Sequence, residues 1–154
     1  MNLYTTLKKL CLVSSVSGRE AKIREEIKNI IAPFVDSIET DALGNLIALK
    51  KGAGDKKIML CAHMDEIGFI VNFIEENGML RVGNLGGIRL AAASYTMVVS
   101  ENGVRGALCA NSDAKPEDYK NDVMYIDIGA QSRREAERYV SIGDTFVCAP
   151  SLTK

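Results

Sequence analysis

The sequence of 154 residues contains one histidine, no tryptophan and only three prolines, and its net charge is −1. A single histidine excludes a metal site that uses several imidazoles of this chain. The near balance of charges provides no basic face of the kind that nucleic-acid-binding proteins use. No apolar run approaches the roughly 20 residues of a membrane-spanning helix. We therefore expect no nucleic acid and no membrane among its partners.

The four cysteines are scattered along the chain, at positions 11, 61, 109 and 148, and none forms a C-x-x-C pair. Disulfide frameworks and zinc–thiolate sites usually show closer pairing. Buried, reduced thiols are the simplest interpretation, and they favour the cytoplasm. The composition, 47% hydrophobic and 25% charged, is that of a soluble globular protein with room for one ordinary domain or two small ones.

The first part of the chain resembles the opening of an α/β domain. Apolar residues at helical spacing predict helices over 3–14 and 19–33, and Ser17-Gly18-Arg19-Glu20 has the spacing of a capping box for the second. Apolar segments bounded by turn residues predict strands at 37–40, 46–49 and 57–62. We expect the last of these to be buried, because Ile58-Met59-Leu60-Cys61 is continuously apolar.

The pattern changes near residues 66–68, where we place a domain boundary. Short apolar segments separated by Asn-Gly and other turn signals predict strands at 67–74, 79–82, 95–100, 104–109, 123–128 and 145–149. The polar stretch 111–122 is predicted to be a loop, and Ser132 to Glu135 forms a capping box that opens a short helix to about Val140. Short, regularly spaced strands of this kind indicate a small β-barrel that ends near residue 150.

The single histidine, His63, follows the predicted strand at 57–62, and Asp65 follows two residues later. Strand ends in α/β sheets are where ligands and metals bind. In an extended chain, side chains two residues apart point the same way, so Asp65 can receive the second N–H of an imidazole that binds a metal. A lone histidine near a strand is also often structural, and spacing alone does not decide between the two roles.

On spacing alone this site is incomplete. A catalytic zinc needs about three protein ligands, and the chain has no second histidine. Carboxylates at Asp122, Asp127 and Asp144 lie in the predicted barrel, and nothing in the sequence brings them to His63. The sequence also contains no recognisable Ser-His-Asp triad or nucleophile elbow.

Four segments, taken in order, resemble the N-terminal part of the glutamyl and deblocking aminopeptidases. They are VSGREAKIREEI at 16–27, TDALGNLIALKKG at 40–52, AHMDEIGFIV at 62–71 and YIDIGAQSRREAE at 125–137. The third is the most specific, and the Gly143-Asp144 turn also matches. Members of this family are dimetal peptidases that form twelve-subunit tetrahedral shells, and some carry cellulase or endoglucanase labels.

The resemblance implies a role for each part of the chain. His63 would bind one of two divalent ions, zinc or cobalt, and Asp65 would be the catalytic-site aspartate that supports it. Residues 1–66 would be the N-terminal part of a catalytic α/β domain. Residues 67–150 would be a PDZ-like β-barrel inserted for subunit assembly, and 151–154 would begin the return to the catalytic domain.

The family's remaining metal ligands follow the insert, so we expect this chain to be truncated, to bind at most one metal weakly and to be inactive alone. The resemblance implies peptide substrates, hydrolysis of N-terminal residues and assembly into a homo-oligomer. Two alternatives stay open: a non-catalytic oligomerisation or binding module, and a glycosidase. A glycosidase needs two carboxylates that flank the scissile bond, and the adjacent Asp65 and Glu66 point apart in an extended chain.

Overall fold

The computed structural model describes residues 2–119 and 123–151. The described chain divides into two compact units, and the division falls between Asp65 and Glu66. Residues 120–122 of the predicted loop at 111–122, among them Asp122, lie outside the described residues. So do residues 152–154, the last three of the predicted return segment.

The first unit contains two helices and a small two-stranded sheet. The helices are α1 (Leu3–Cys11) and α2 (Ala21–Ile31), and a 3₁₀ turn (Ala32–Phe34) follows the second. The side chain of Asn2 accepts a hydrogen bond from the Thr5 N–H and caps α1. Both helices end earlier than predicted, α2 just before Pro33, whose ring cannot continue the hydrogen-bond ladder.

The two strands β1 (Ser37–Thr40) and β2 (Leu46–Leu49) have the predicted bounds and pair antiparallel.

The predicted strand at 57–62 is wrong, because this segment has no regular secondary structure among the described residues. Its apolar side chains Ile58, Met59 and Leu60 are 87%, 85% and 93% exposed. A strand needs a neighbour that pairs with its N–H and C=O groups, and in the described part of this unit the sheet consists of β1 and β2. Without a partner strand, the apolar segment at 57–62 is therefore neither paired nor buried.

The second unit is a closed six-stranded β-barrel, which confirms the predicted barrel. The strand order around it is β3-β4-β7-β6-β5-β8, and each neighbouring pair is antiparallel. The strands are β3 (Gly68–Ile74), β4 (Leu80–Leu85), β5 (Met97–Ser100), β6 (Arg105–Ala110), β7 (Met124–Asp127) and β8 (Thr145–Cys148). Closure gives every strand two neighbours and leaves no open edge.

Two short helices accompany the barrel. The helix α3 (Leu90–Ala93) was not predicted, whereas α4 (Arg133–Ala136) begins at the predicted cap. The Ser132 hydroxyl accepts a hydrogen bond from the Glu135 N–H at 3.3 Å. The helix is shorter than predicted and continues as turns toward Val140.

The barrel interior is a continuous apolar core. Inward-pointing residues alternate with outward-pointing ones along each strand, as in β6, where Leu108 is fully buried between two half-buried neighbours. The fully buried members also include Phe69, Leu80, Val98, Met124, Ile126 and Phe146. Gly78, in the predicted Asn-Gly turn, has a φ of +89°, and a Cβ there would lie 2.6 Å from the Ala130 carbonyl oxygen.

No helix among the described residues is long and apolar enough to cross a membrane.

We predict that Leu108→Ala destabilises the barrel by about 2–5 kcal/mol, because it leaves a cavity in a closed core that cannot collapse around it. Urea unfolding followed by far-UV circular dichroism measures the loss. Ile142→Ala is the matched control: this side chain is 65% exposed, and its truncation should stay within about 0.5 kcal/mol. Equal losses in the two variants would contradict the described core.

We also expect the chain by itself to self-associate through the apolar segment at 58–60, because water contacts nearly all of its side-chain surface. Replacing Ile58, Met59 and Leu60 together by serine should lower the average mass measured by light scattering after size exclusion. Replacing Lys56 and Lys57 by serine is the control and should leave that mass unchanged. A monodisperse monomer of the parent chain at high concentration would count against this expectation.

Candidate functional site

His63 lies in the irregular segment of the first unit, not at the end of a strand as predicted. Its side chain is 86% exposed. The Nδ1 atom lies 3.0 Å from Asp65 Oδ1 and also 3.0 Å from the Asp65 carbonyl oxygen. One residue therefore holds this nitrogen with both its side chain and its main chain, although the strand on which the predicted pairing rested is absent.

This contact defines what each ring nitrogen can do. With two oxygens beside it, Nδ1 acts as the donor, and the Nε2 lone pair then faces away from Asp65. A neutral imidazole fixed in this way presents one nitrogen to a ligand. This is the arrangement in which metal-binding histidines are held by a carboxylate or a carbonyl oxygen.

Asp65 accepts hydrogen bonds from two directions. Its Oδ1 contacts His63, and its Oδ2 accepts from the hydroxyl of Ser17, 48 positions earlier in the chain. Both contacts favour the ionised carboxylate and hold the pKa of Asp65 below its ordinary value of 3.8, with the Ser17 hydroxyl as the larger cause and His63 as the next. The carboxylate is therefore charged at neutral pH and remains an acceptor.

Ser17 is not the N-cap of α2, and the predicted capping box is wrong. Glu20 occupies the N-cap position and makes no side-chain capping bond. Val16 to Arg19 instead form a β-turn, in which the Arg19 N–H donates to the Val16 carbonyl at 2.9 Å and Gly18 has a φ of +83°. The turn separates Ser17 from the first turn of the helix, so its hydroxyl meets Asp65 instead of a helix N–H.

A shallow cleft of about 190 Å³ lies beside His63 within the first unit. The segment 62–65 and Glu20 line one part of it, and Leu43, Gly44 and Asn45 from the β1–β2 loop line another. The Glu20 carboxylate accepts a hydrogen bond from the Gly18 N–H at 2.7 Å. The cleft thus contains one imidazole, two carboxylates and one carboxamide.

Asp41 organises the β1–β2 loop. Its Oδ1 accepts from the Leu43 and Asn45 N–H groups at 3.0 and 2.8 Å, and its Oδ2 accepts from Asn45 Nδ2 at 2.8 Å. These bonds hold the pKa of Asp41 below 3.8, and the hydrogen bond from the Asn45 side chain is the largest cause. Arg24 from α2 donates to the Gly44 carbonyl at 3.0 Å and ties the loop to the helix.

The described residues do not form a complete metal centre. Among residues 2–119 and 123–151, no group of three histidine, cysteine, aspartate or glutamate side chains lies close enough to hold an ion. Asp127 and Asp144 belong to the barrel and accept local bonds from the N–H groups of Gly129 and Ser141, at 2.7 and 2.9 Å. These two carboxylates stabilise turns.

Ser17, Asp65 and His63 are also not a nucleophilic triad. The carboxylate lies between the other two groups, so the hydroxyl donates to Asp65 and not to the imidazole. A catalytic serine instead needs the imidazole beside its hydroxyl as a base. The sequence pointed to His63 and Asp65, but it missed Ser17 and Glu20, whose S-x-x-E spacing is equally typical of a helix cap.

Several known proteins that resemble this chain are described as aminopeptidases. The M42 glutamyl aminopeptidase profile matches residues 44–154. A putative aminopeptidase of Acetivibrio thermocellus is 48% identical over 93% of this chain and 43% of its own length. A lysyl aminopeptidase of Pyrococcus furiosus is 36% identical over 98% of this chain and 47% of its own. The chain thus spans less than half the length of these curated relatives.

Solved structures show the same fold. The Pyrococcus horikoshii TET1 peptidase, described as assembling into a tetrahedron or a large octahedral shell, matches with a TM-score of 0.77 and 35% identity over 96% of this chain and 46% of its own. A protein from Thermotoga maritima described as an endoglucanase matches with a TM-score of 0.81 and 38% identity over 93% and 44%. The mixed α/β fold with a six-stranded barrel is therefore shared with these proteins.

We predict that Asn45→Ala raises the pKa of Asp41 part of the way back toward 3.8, because the variant removes the largest of the bonds that favour the carboxylate. The pKa of Asp41 is lower in the folded state, so this carboxylate stabilises the fold above the unfolded pKa. That stabilisation is lost as the pH falls through the folded pKa. A carboxyl-detected NMR titration measures the shift. Asn77→Ala, in a barrel turn, should leave Asp41 unchanged.

Proposed function

This chain belongs to the M42 glutamyl aminopeptidase family, and we propose that it contributes one metal ligand and that ligand's support to an aminopeptidase centre. His63 is the ligand, through Nε2, and Asp65 orients the ring. The observation that carries this assignment is the double contact of His63 Nδ1 with Asp65, which leaves Nε2 as the nitrogen that faces a ligand.

The reaction we propose is hydrolysis of the N-terminal peptide bond of peptides, with two divalent ions, zinc or cobalt. When bound, such ions act as Lewis acids toward the carbonyl and activate water for its attack. The part of this chain in the reaction is limited to holding one imidazole in place. Asp65 remains ionised at neutral pH, so it accepts the Nδ1–H hydrogen bond and, in the neutral ring, leaves the Nε2 lone pair for a ligand.

We infer that the 154-residue chain by itself binds at most one metal ion, weakly, and does not hydrolyse peptides. One imidazole is well short of the roughly three protein ligands that a catalytic zinc requires. The described residues offer no cluster that would supply the others. The cleft beside His63 contributes only the carboxylates of Asp65 and Glu20, and the first of these is committed to Ser17 and His63.

Residues 1–66 are then the N-terminal part of the catalytic domain, and 67–150 are a PDZ-like insert that serves subunit assembly, with 151–154 as the start of the return. A homo-oligomer is supported by the shells that the TET1 relative is described as forming.

The predicted burial of the cysteines is wrong, because Cys11, Cys61 and Cys148 are exposed and Cys109 is half-buried. None of the four forms a disulfide, which is in keeping with the proposed cytoplasmic location.

Two other functions remain as alternatives. A non-catalytic assembly module would use the barrel alone, and its association would not depend on metal. A glycosidase, suggested by the endoglucanase description of a relative, needs a general acid with a raised pKa. The pKa of Asp65 is lowered instead, which argues against that role for this carboxylate.

The direct test is hydrolysis of leucine and glutamate anilides after loading with zinc or cobalt. We expect no turnover above the blank, and we expect calorimetry to detect weak zinc binding that is lost in His63→Ala. Lys57→Ala is the matched control, because it changes a nearby exposed residue that makes no described contact with the site.

Metal-dependent turnover that disappears in His63→Ala would refute the inactivity of the chain alone. It would show that the site is completed in another way, for example between copies. Zinc binding that is equal in His63→Ala and the parent chain would refute the assignment of His63. Release of reducing sugar from a β-glucan would favour the glycosidase instead.

A further inference from the structure

We propose that Ser17 is a positioning residue for the site: its hydroxyl fixes the carboxylate of Asp65, which in turn fixes the ring of His63. The inference rests on the proposed function, because it concerns the same imidazole. Its first observation is the direct hydrogen bond from Ser17 Oγ to Asp65 Oδ2.

The backbone around Ser17 is built to hold this hydroxyl in place. The turn at 16–19 needs a positive φ at its third position, and Gly18 supplies it without steric cost. The Glu20 carboxylate accepts from the Gly18 N–H and closes the turn from the other side. Val16, at the first position of the turn, is fully buried. Ser17 thus projects from a fixed turn, although it is itself exposed.

The segment that carries His63 and Asp65 has no such support of its own. It forms no helix and no strand, and the ring of His63 is 86% exposed. A carboxylate on an irregular segment can rotate about its side-chain bonds, and an imidazole that depends on it rotates as well. A second hydrogen bond on the opposite oxygen selects one rotamer of Asp65 and so one orientation of the ring.

A second contact holds the same segment at its main chain. The Ser15 hydroxyl lies 3.4 Å from the Met64 carbonyl oxygen, in the residue between His63 and Asp65. Ser15 fixes the backbone, whereas Ser17 fixes the carboxylate. The S-x-x-E pattern at 17–20, which has the spacing of a helix cap, is thereby given a different purpose: it supports the site from another part of the chain.

The single histidine makes this inference testable by NMR without any metal. At about pH 9, well above the ordinary histidine pKa of about 6.5, the ring nitrogens of His63 report its neutral tautomer. In the parent chain we expect the Nδ1–H form, which donates to Asp65. In Ser17→Ala we expect a partial shift toward the Nε2–H form, because the freed carboxylate no longer holds the Nδ1 proton in one geometry and only the Asp65 carbonyl oxygen stays beside it. Ser17→Thr keeps the hydroxyl and should restore the parent signal.

Zinc affinity, measured by calorimetry, is the second readout. We expect a dissociation constant about tenfold higher in Ser17→Ala, near the lower end of the effects of removing a group that orients a metal ligand. Ser14→Ala, which removes a hydroxyl from the preceding segment, is the control and should change neither the tautomer nor the affinity. Circular dichroism confirms that each variant is folded.

The outcomes separate this inference from the proposed function. An unchanged tautomer in Ser17→Ala overturns the positioning role, whatever zinc does. A shifted tautomer with unchanged zinc affinity also overturns it, because the ring orientation would then not serve metal binding. If Ser17→Ala shifts the tautomer and the parent chain binds no zinc at all, Ser17 is supported as the residue that orders the ring. The proposed function is then overturned.

Discussion

The requirement that every strand have a partner for its backbone N–H and C=O groups explains most of this structure. In the second unit the requirement is met by closure, because six strands pair in a ring and bury one continuous core. In the first unit the described chain offers only a two-stranded sheet. The apolar segment before His63 finds no partner there, and Ile58, Met59 and Leu60 stay exposed.

The candidate site depends on side chains because it lacks a strand to support it. His63 is held through Nδ1 by Oδ1 and the main-chain carbonyl oxygen of Asp65, and the Oδ2 of Asp65 accepts a hydrogen bond from Ser17. The loop organised by Asp41 contributes to the same cleft and is tied to α2 by Arg24. The hydrogen bonds from Ser17 and His63 lower the pKa of Asp65, because each of them favours its charged form.

The chain belongs to the M42 family and spans less than half the length of its curated relatives, and its two units differ in what each contains. The barrel satisfies its own backbone and core, as an independent unit does. The first unit shows the elements of an α/β domain, but it offers one imidazole where a catalytic metal needs several ligands. The proposal of a partial centre follows from that contrast, and the family resemblance supplies the reaction.

The sequence by itself determined most local elements. These are the helices α1, α2 and α4, the strands β1 and β2, the barrel strands with their Asn-Gly turns, the cap at Ser132, and the pairing of His63 with Asp65. These follow from periodicity, turn chemistry and short spacing, which act over a few residues. Tertiary structure decided the rest. Whether 57–62 becomes a strand depends on a distant partner, and whether Ser17 caps a helix or supports Asp65 depends on a residue 48 positions away. Neither outcome can be predicted from neighbouring residues alone. The same apolar segment can form a strand or stay exposed, and the same hydroxyl can accept from a helix N–H or donate to a carboxylate. The group that the fold places beside each of them decides.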